Sequence, residues 1–180
     1  MSQQEFKALP IRFDPVNFAN HDREMHGRIV SKTMSRLMSN VSSAEPMVTA
    51  KLSFSRGLYG YPLVSGQAWT TVFMRCERCL DEVAINLSPK IEVLVRPEED
   101  SLSEKNENVP EFHEYDGKSL VLSDLIEEEL LLALPLVPKH QDISLCNQDM
   151  LVWLAANEAL SEGQDAPDER AENPFAILKR

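Results

Sequence analysis

From Met47 the apolar residues fall on every second position. Val48, Ala50, Leu52 and Phe54 alternate with Thr49, Lys51, Ser53 and Ser55, which predicts a half-buried strand. A second β stretch runs from Leu63 to Arg75 with Gly66 interrupting it. A third runs from Glu82 to Val95, where Val83, Ile85 and Leu87 alternate with polar neighbours and Ile91, Val93 and Val95 resume the pattern after Pro89. Gly57 and Gly60 supply the turn between the first two, so an antiparallel meander is the expected packing.

Elsewhere the period is helical. Met34, Leu37, Met38 and Val41 predict a short amphipathic helix over 31–41 with Ser31 as its N-cap. Leu122, Leu125, Ile126, Leu130, Ala133 and Leu134 predict a second, capped by Ser123 and ended by Pro135. Asn147 to Leu160 reads as a third, with Met150, Trp153 and Leu154 facing inward. Pro10 and Pro15 keep Leu9 to Asn20 from being one continuous helix and favour extended chain at its start.

The pattern is α+β: an antiparallel sheet packed with a few helices in a single domain over residues 1–160. Strand order, and closure of the sheet towards a barrel, are left open. Glu98 to Asn108 has no apolar anchor and reads as a mobile loop. Residues 161–172 read as a disordered acidic linker in a flexible C-terminal tail. The apolar segment after it, Asn173-Pro174-Phe175-Ala176-Ile177-Leu178, is expected to dock on its own domain or on a partner.

Composition is that of an ordinary globular protein, 43% hydrophobic and 26% charged. The first residues carry no apolar leader, and the apolar run Leu130 to Val137 is too short to span a bilayer. Three cysteines are too few for a disulfide framework, so reduced thiols and a cytoplasmic location are expected. Charge divides along the chain: residues 1–97 hold 12 Lys/Arg against 9 Asp/Glu, a net of +3, and residues 98–180 hold 6 against 20, a net of −14. The second half repels a phosphate backbone and suits a basic protein, or simply solubility.

Chemistry concentrates at Arg75-Cys76-Glu77-Arg78-Cys79, the tip between two predicted strands. A Cys-x-x-Cys turn presents two thiolates to one tetrahedral Zn²⁺, and His140 and Cys146 are the candidate third and fourth ligands of a structural site. Packed free thiols and a redox pair are the other two readings. The redox reading is the weakest, because the motif does not open a helix after a strand. No phosphate-binding, nucleophile-elbow or zinc-protease motif is present. His21, His26 and His113 have no partner at a spacing that implies a shared site, and Glu127, Glu128 and Glu129 read as a solvated helix start rather than a catalytic group. No small-molecule substrate and no catalytic residue are expected.

Arg75-Cys76-Glu77-Arg78-Cys79-Leu80, the run Leu125-Ile126-Glu127-Glu128-Glu129-Leu130 into Leu132-Ala133-Leu134-Pro135, Pro138-Lys139-His140, Cys146 and the closing Asn173-Pro174-Phe175-Ala176-Ile177-Leu178 together resemble the bacterial YceD family; Phe13-Asp14-Pro15 fits its N-terminal strand. The resemblance runs through nearly the whole chain in one order. It implies a non-catalytic role in accumulation of large-subunit ribosomal RNA. It also implies a gene neighbour encoding a small basic, cysteine-containing protein of the large ribosomal subunit. The family varies in how complete its cysteine and histidine set is, so membership does not decide the metal.

Two modes stay open. The chain could act through pre-ribosome or ribosomal-protein contacts, with Glu127, Glu128, Glu129, Asn173, Pro174 and Phe175 as candidate partner contacts. Alternatively it could bind precursor large-subunit RNA directly through the weakly basic sheet half. Arg75 and Arg78 are the candidate contacts there, joined by Lys51, Arg56, Lys90 and Arg96 if these gather on one face. Tyr59, Tyr61, Trp69 and Phe73 are available to stack on bases, although Trp69 and Phe73 are read as core.

Overall fold

The computed structural model describes residues 7–99 and 111–162. After a short strand β1 (Arg12–Phe13), Asp14 accepts the Asn17 N–H at 3.1 Å and starts helix α1 (Pro15–Asn20). Pro15 takes the first helical position, where its missing N–H costs nothing. The prolines thus exclude a long helix and begin a short one. Strand β2 (Glu24–Val30) follows, with Met25, Gly27 and Ile29 turned inward.

The helix expected over 31–41 divides. A 3-10 turn at Ser31–Thr33 and helix α2 (Ser35–Asn40) meet at Met34, whose φ of −97° and ψ of 77° are not helical. Ser31 is not a cap; it is buried, and its N–H bonds the Pro46 carbonyl. Met34 and Leu37 are fully buried, as their spacing requires.

Strands β3 (Ser43–Ala44), β4 (Met47–Arg56), β5 (Pro62–Arg75), β6 (Glu82–Leu87) and β7 (Lys90–Pro97) build the sheet around β5. The front half of β5 lies between β4 and β7, and its far half between β3 and β6. Thr70 faces Leu87 and Gln67 faces Lys90, so β6 and β7 keep one register across Pro89. The proline interrupts the ladder without shifting it.

Gly66 has φ +153°, and a Cβ there would lie 2.1 Å from the Lys51 carbonyl oxygen of the paired strand, so no other residue fits this crossing. β2 pairs β4 at one end of the sheet. At the other, β8 (Glu111–Tyr115) pairs β7 in parallel, a departure from the expected all-antiparallel meander. The described strands end at β2 and β8, which do not pair with each other, so the sheet is open and not a barrel. β9 (Leu120–Val121) pairs β1.

The inward positions of the strands pack with helix α3 (Leu122–Leu132), whose Leu122, Leu125, Ile126 and Leu130 are fully buried. Phe13, Phe18 of α1 and Phe54 meet at 5.1 to 5.2 Å, the first two tilted and each edge-on to Phe54. Ser123 is not the cap of α3, since the helix starts one residue earlier after Val121, with no side-chain cap bond. The Leu122 N–H is met instead by the Ile11 carbonyl.

Glu127 sits one turn into α3 and is only 4% exposed. Its Oε1 accepts the Leu37 N–H at 2.9 Å and its Oε2 accepts Arg36 Nε at 3.0 Å. A carboxylate therefore stands at the N-terminus of α2, where Met34 offers no capping oxygen. Replacing Glu127 by Ala leaves that N–H buried and unpaired. The expected loss is about 1–3 kcal/mol, read as a fall in Tm of about 2–4 °C per kcal/mol. A loss under about 0.5 kcal/mol, the size of a surface change, would show that the contact does not hold α2.

Candidate metal centre

β5 delivers the chain to the Cys76–Cys79 turn and β6 takes it away. The Cys76 N–H bonds the Asp81 carbonyl at 2.8 Å and the Leu80 N–H bonds the Cys76 carbonyl at 2.9 Å. Closing so tight a turn puts Leu80 at φ +66°, unusual for a residue with a branched side chain. The Glu77 N–H reaches across to the Pro138 carbonyl at 2.8 Å and fixes the second ligand segment beside the first.

That segment is itself organised by two caps. Asp142 accepts the Ser144 N–H and starts a 3-10 turn at Ile143–Leu145. Asn147 accepts the Met150 N–H at 3.1 Å at the start of helix α4 (Gln148–Glu162). Cys146 is held between the two.

The structure brings together all four residues singled out in the sequence. The ligand atoms of Cys76, Cys79, His140 and Cys146 lie within 4.8 Å of one another. His140 Nδ1 lies 3.5 Å from Cys79 Sγ and 3.6 Å from Cys146 Sγ. Those separations are close to the edge of a tetrahedron with Zn–S near 2.3 Å and Zn–N near 2.0 Å, roughly 3.6 Å. The three cysteines are buried, at 0%, 1% and 4% exposure, and His140 is half-buried. This set can hold a metal ion with four protein ligands and no open position.

Burial pushes the Cys76 thiol up. The backbone N–H groups of His140, Cys79 and Arg78, together with the His140 side chain, outweigh burial and bring it from 9.0 to about 6. The Arg78 N–H is 3.4 Å from that sulfur. Cys146 is pushed the other way, by burial and by its neighbouring thiols, against the Arg78 guanidinium 3.6 Å from its sulfur. Donors aimed at a thiolate are the usual surroundings of a metal-bound sulfur. A strand, not a helix, follows the turn, so no helix N-terminus activates the pair as in thioredoxin-type motifs.

The centre also works as a small second core. Cys76, Cys79, Cys146 and Val83 pack with Ile85 of β6 and with Met150 and Leu151 of α4. Trp153, expected to face inward, is 61% exposed instead. α4 thus rests on the sheet mainly through the cysteine cluster.

The two arginines beside the turn separate. Arg75 is exposed and its Nε donates to the Leu80 carbonyl at 3.2 Å, whereas Arg78 turns towards the thiols. Arg96 is buried against Glu114 at 2.7 Å and over the Phe112 ring, so its charge is already engaged. Glu127 is taken up by α2 and is not a surface contact. Glu128 accepts from His113 Nδ1 at 2.6 Å, a part-buried pairing invisible at a separation of fifteen residues in sequence. Asn173, Pro174 and Phe175 lie outside the described residues, as do residues 163–172 of the expected linker, whose first two residues, Ser161 and Glu162, belong to α4. No described helix is long and apolar enough to cross a membrane.

The geometry is that of a sheet-and-helix domain with a Cys₃His cluster. Residues 64–180, which include all four ligands, match the family described as "Large ribosomal RNA subunit accumulation protein YceD". The chain belongs to the YceD family. It is 27% identical over 178 residues, 94% of each chain, to the large ribosomal RNA subunit accumulation protein YceD of Haemophilus influenzae. No solved structure matches the chain.

The lowered Cys76 thiol has a measurable sign. In metal-free, reduced protein, thiolate absorbance should rise with a midpoint of about 6, and Cys76→Ser should remove that step. A folded pKa below the unfolded 9.0 means the thiolate adds stability that is complete above 9 and lost as pH falls towards 6. The metal-free fold should therefore gain stability between pH 6 and 9. A first thiol titrating only near 9 would contradict the donor arrangement.

Proposed function

We propose that this chain is a non-catalytic, cytoplasmic factor needed for synthesis, processing or accumulation of large-subunit ribosomal RNA, working by contact with the pre-ribosome. The observation that carries the proposal is family membership over the part of the chain that holds the Cys₃His cluster. The Haemophilus relative is named for accumulation of the large ribosomal RNA subunit, which supports the accumulation part of this reading.

We assign the cluster to a structural Zn²⁺. Four protein ligands fill a tetrahedral shell, which suits scaffolding and leaves no place for a reacting water. The ion would tie the segment from Pro138 to α4 onto the tip of β5 and β6, with Arg78 offsetting part of the thiolate charge.

Two surfaces are available for contact. The sheet half carries the positive balance, and residues 98–180 carry the −14 that would suit a small basic ribosomal protein. The acidic reading is narrowed by the burial of Glu127 and the engagement of Glu128. It rests on the remaining acidic side chains.

Depletion of the protein in cells, with large- and small-subunit rRNA measured against each other, tests the role. The expected outcome is a selective fall in mature large-subunit rRNA and an accumulation of large-subunit precursor particles. Equal levels of both RNAs after complete depletion would refute the proposal. A tagged chain should also retrieve precursor large-subunit RNA, and nuclease treatment before capture separates RNA-held from protein-held partners.

A further inference from the structure

The strand registers gather side chains on the face of the sheet opposite the core. Arg28 of β2, Thr49 of β4 and Trp69 of β5 form one row across three strands. Beside it, His26, Lys51, Gln67 and Lys90 form a second row across four. With strands about 4.8 Å apart, that row runs about 14 Å across the sheet. The next row holds Glu24, Ser53, Ser65 and Glu92 and borders the basic one with carboxylates.

Trp69 is 38% exposed although it lies in the central strand, because β5 turns its even-numbered residues to the core and its odd-numbered ones outward. It lines a groove of about 650 Å³ with Arg28, Thr49, Thr71, Asn86 and Ser88, and Glu45 closes one side. Pro46, Met47 and Leu87 complete the lining, so hydrogen-bonding and apolar groups together surround one large aromatic.

We propose that this face binds single-stranded RNA, with an unpaired base stacked on Trp69 and the phosphates running along the row of His26, Lys51 and Lys90. The inference rests on the ribosomal reading above and names the site that reading lacks. A sheet offering an aromatic platform beside two exposed lysines meets both requirements of unpaired nucleic acid: stacking is tolerant of sequence, and the lysines follow the backbone. The Glu24–Glu92 row repels phosphate and confines the strand to one lane, so bases lie towards Trp69 and Asn86. Thr71, Asn86, Ser88 and Glu45 then meet base edges with both donors and acceptors. The small net charge of this half predicts weak, salt-sensitive binding.

The test uses the full chain and a fluorescently labelled, mixed-sequence single-stranded oligoribonucleotide, titrated at several salt concentrations. Trp69→Ala should weaken binding between about 5-fold and about 150-fold, the range for loss of one stacked base. Lys51→Gln with Lys90→Gln should weaken it and reduce the salt slope by about 0.7 per lysine. Trp153→Ala, on α4, should change nothing. Because Lys51 and Lys90 are exposed, their double variant keeps the test intact if Trp69→Ala misfolds.

Unchanged affinity and unchanged slope in the folded lysine variant would overturn the proposal. So would retrieval of a basic ribosomal protein, but no RNA, in a Trp69-dependent manner. If oligonucleotide binding fails while depletion still lowers large-subunit rRNA, only the surface assignment falls. If Trp69-dependent binding holds while depletion leaves rRNA unchanged, the surface stands and the ribosomal role falls.

Discussion

Strand β5 takes partners on both sides, β4 then β3 on one and β7 then β6 on the other, and that double pairing is the constraint on which the rest depends. Because successive side chains alternate between faces, fixing the register of one strand fixes what the whole sheet presents. Val64, Ala68 and Val72 are committed to the core, and Gln67, Trp69 and Thr71 to the opposite face. A slip of one residue would exchange them. Gly66 lets β4 approach closely enough to hold this register, and β6 and β7 retain it from the other side across Pro89.

The same strand sets the position of the thiols. Cys76 directly follows its last residue, so the turn that carries the first two ligands projects from the most firmly anchored element of the fold. The other two ligands come from a segment with little core of its own, held by the Glu77 to Pro138 bond and by short caps at Asp142 and Asn147. A tetrahedral ion suits such a junction, because it joins two turns that share few apolar contacts. The segment from Pro138 to α4 is thus tied to the sheet at the tip of β5 and β6.

Much of this was legible in the sequence, and what was not has physical causes. The alternation at Val48 to Phe54, the apolar face of α3 and the placement of Cys76 and Cys79 between two strands follow from local periodicity. Their pairing with His140 and Cys146 followed from ligand chemistry. β2 escaped notice because Gly27 occupies an inward position with no apolar side chain, where a Cβ would strike the Lys7 carbonyl. The parallel pairing of β8 depends on a connection whose path no local pattern encodes. Glu127 looked like surface because it lies in an acidic run, yet its role is set by α2, ninety residues earlier. Trp69, expected in the core, lies outside because β5 turns its odd-numbered residues away from the core.

The central claim is that a metal ties the segment from Pro138 to α4 onto the sheet. Native mass spectrometry of the full chain, purified reduced and without a histidine tag, measures this directly when paired with hydrogen exchange in α4. The account predicts a single zinc ion per chain, lost in Cys146→Ser together with protection of α4 while the sheet stays protected. A wild-type chain at its metal-free mass, with α4 as protected as the sheet, would contradict it.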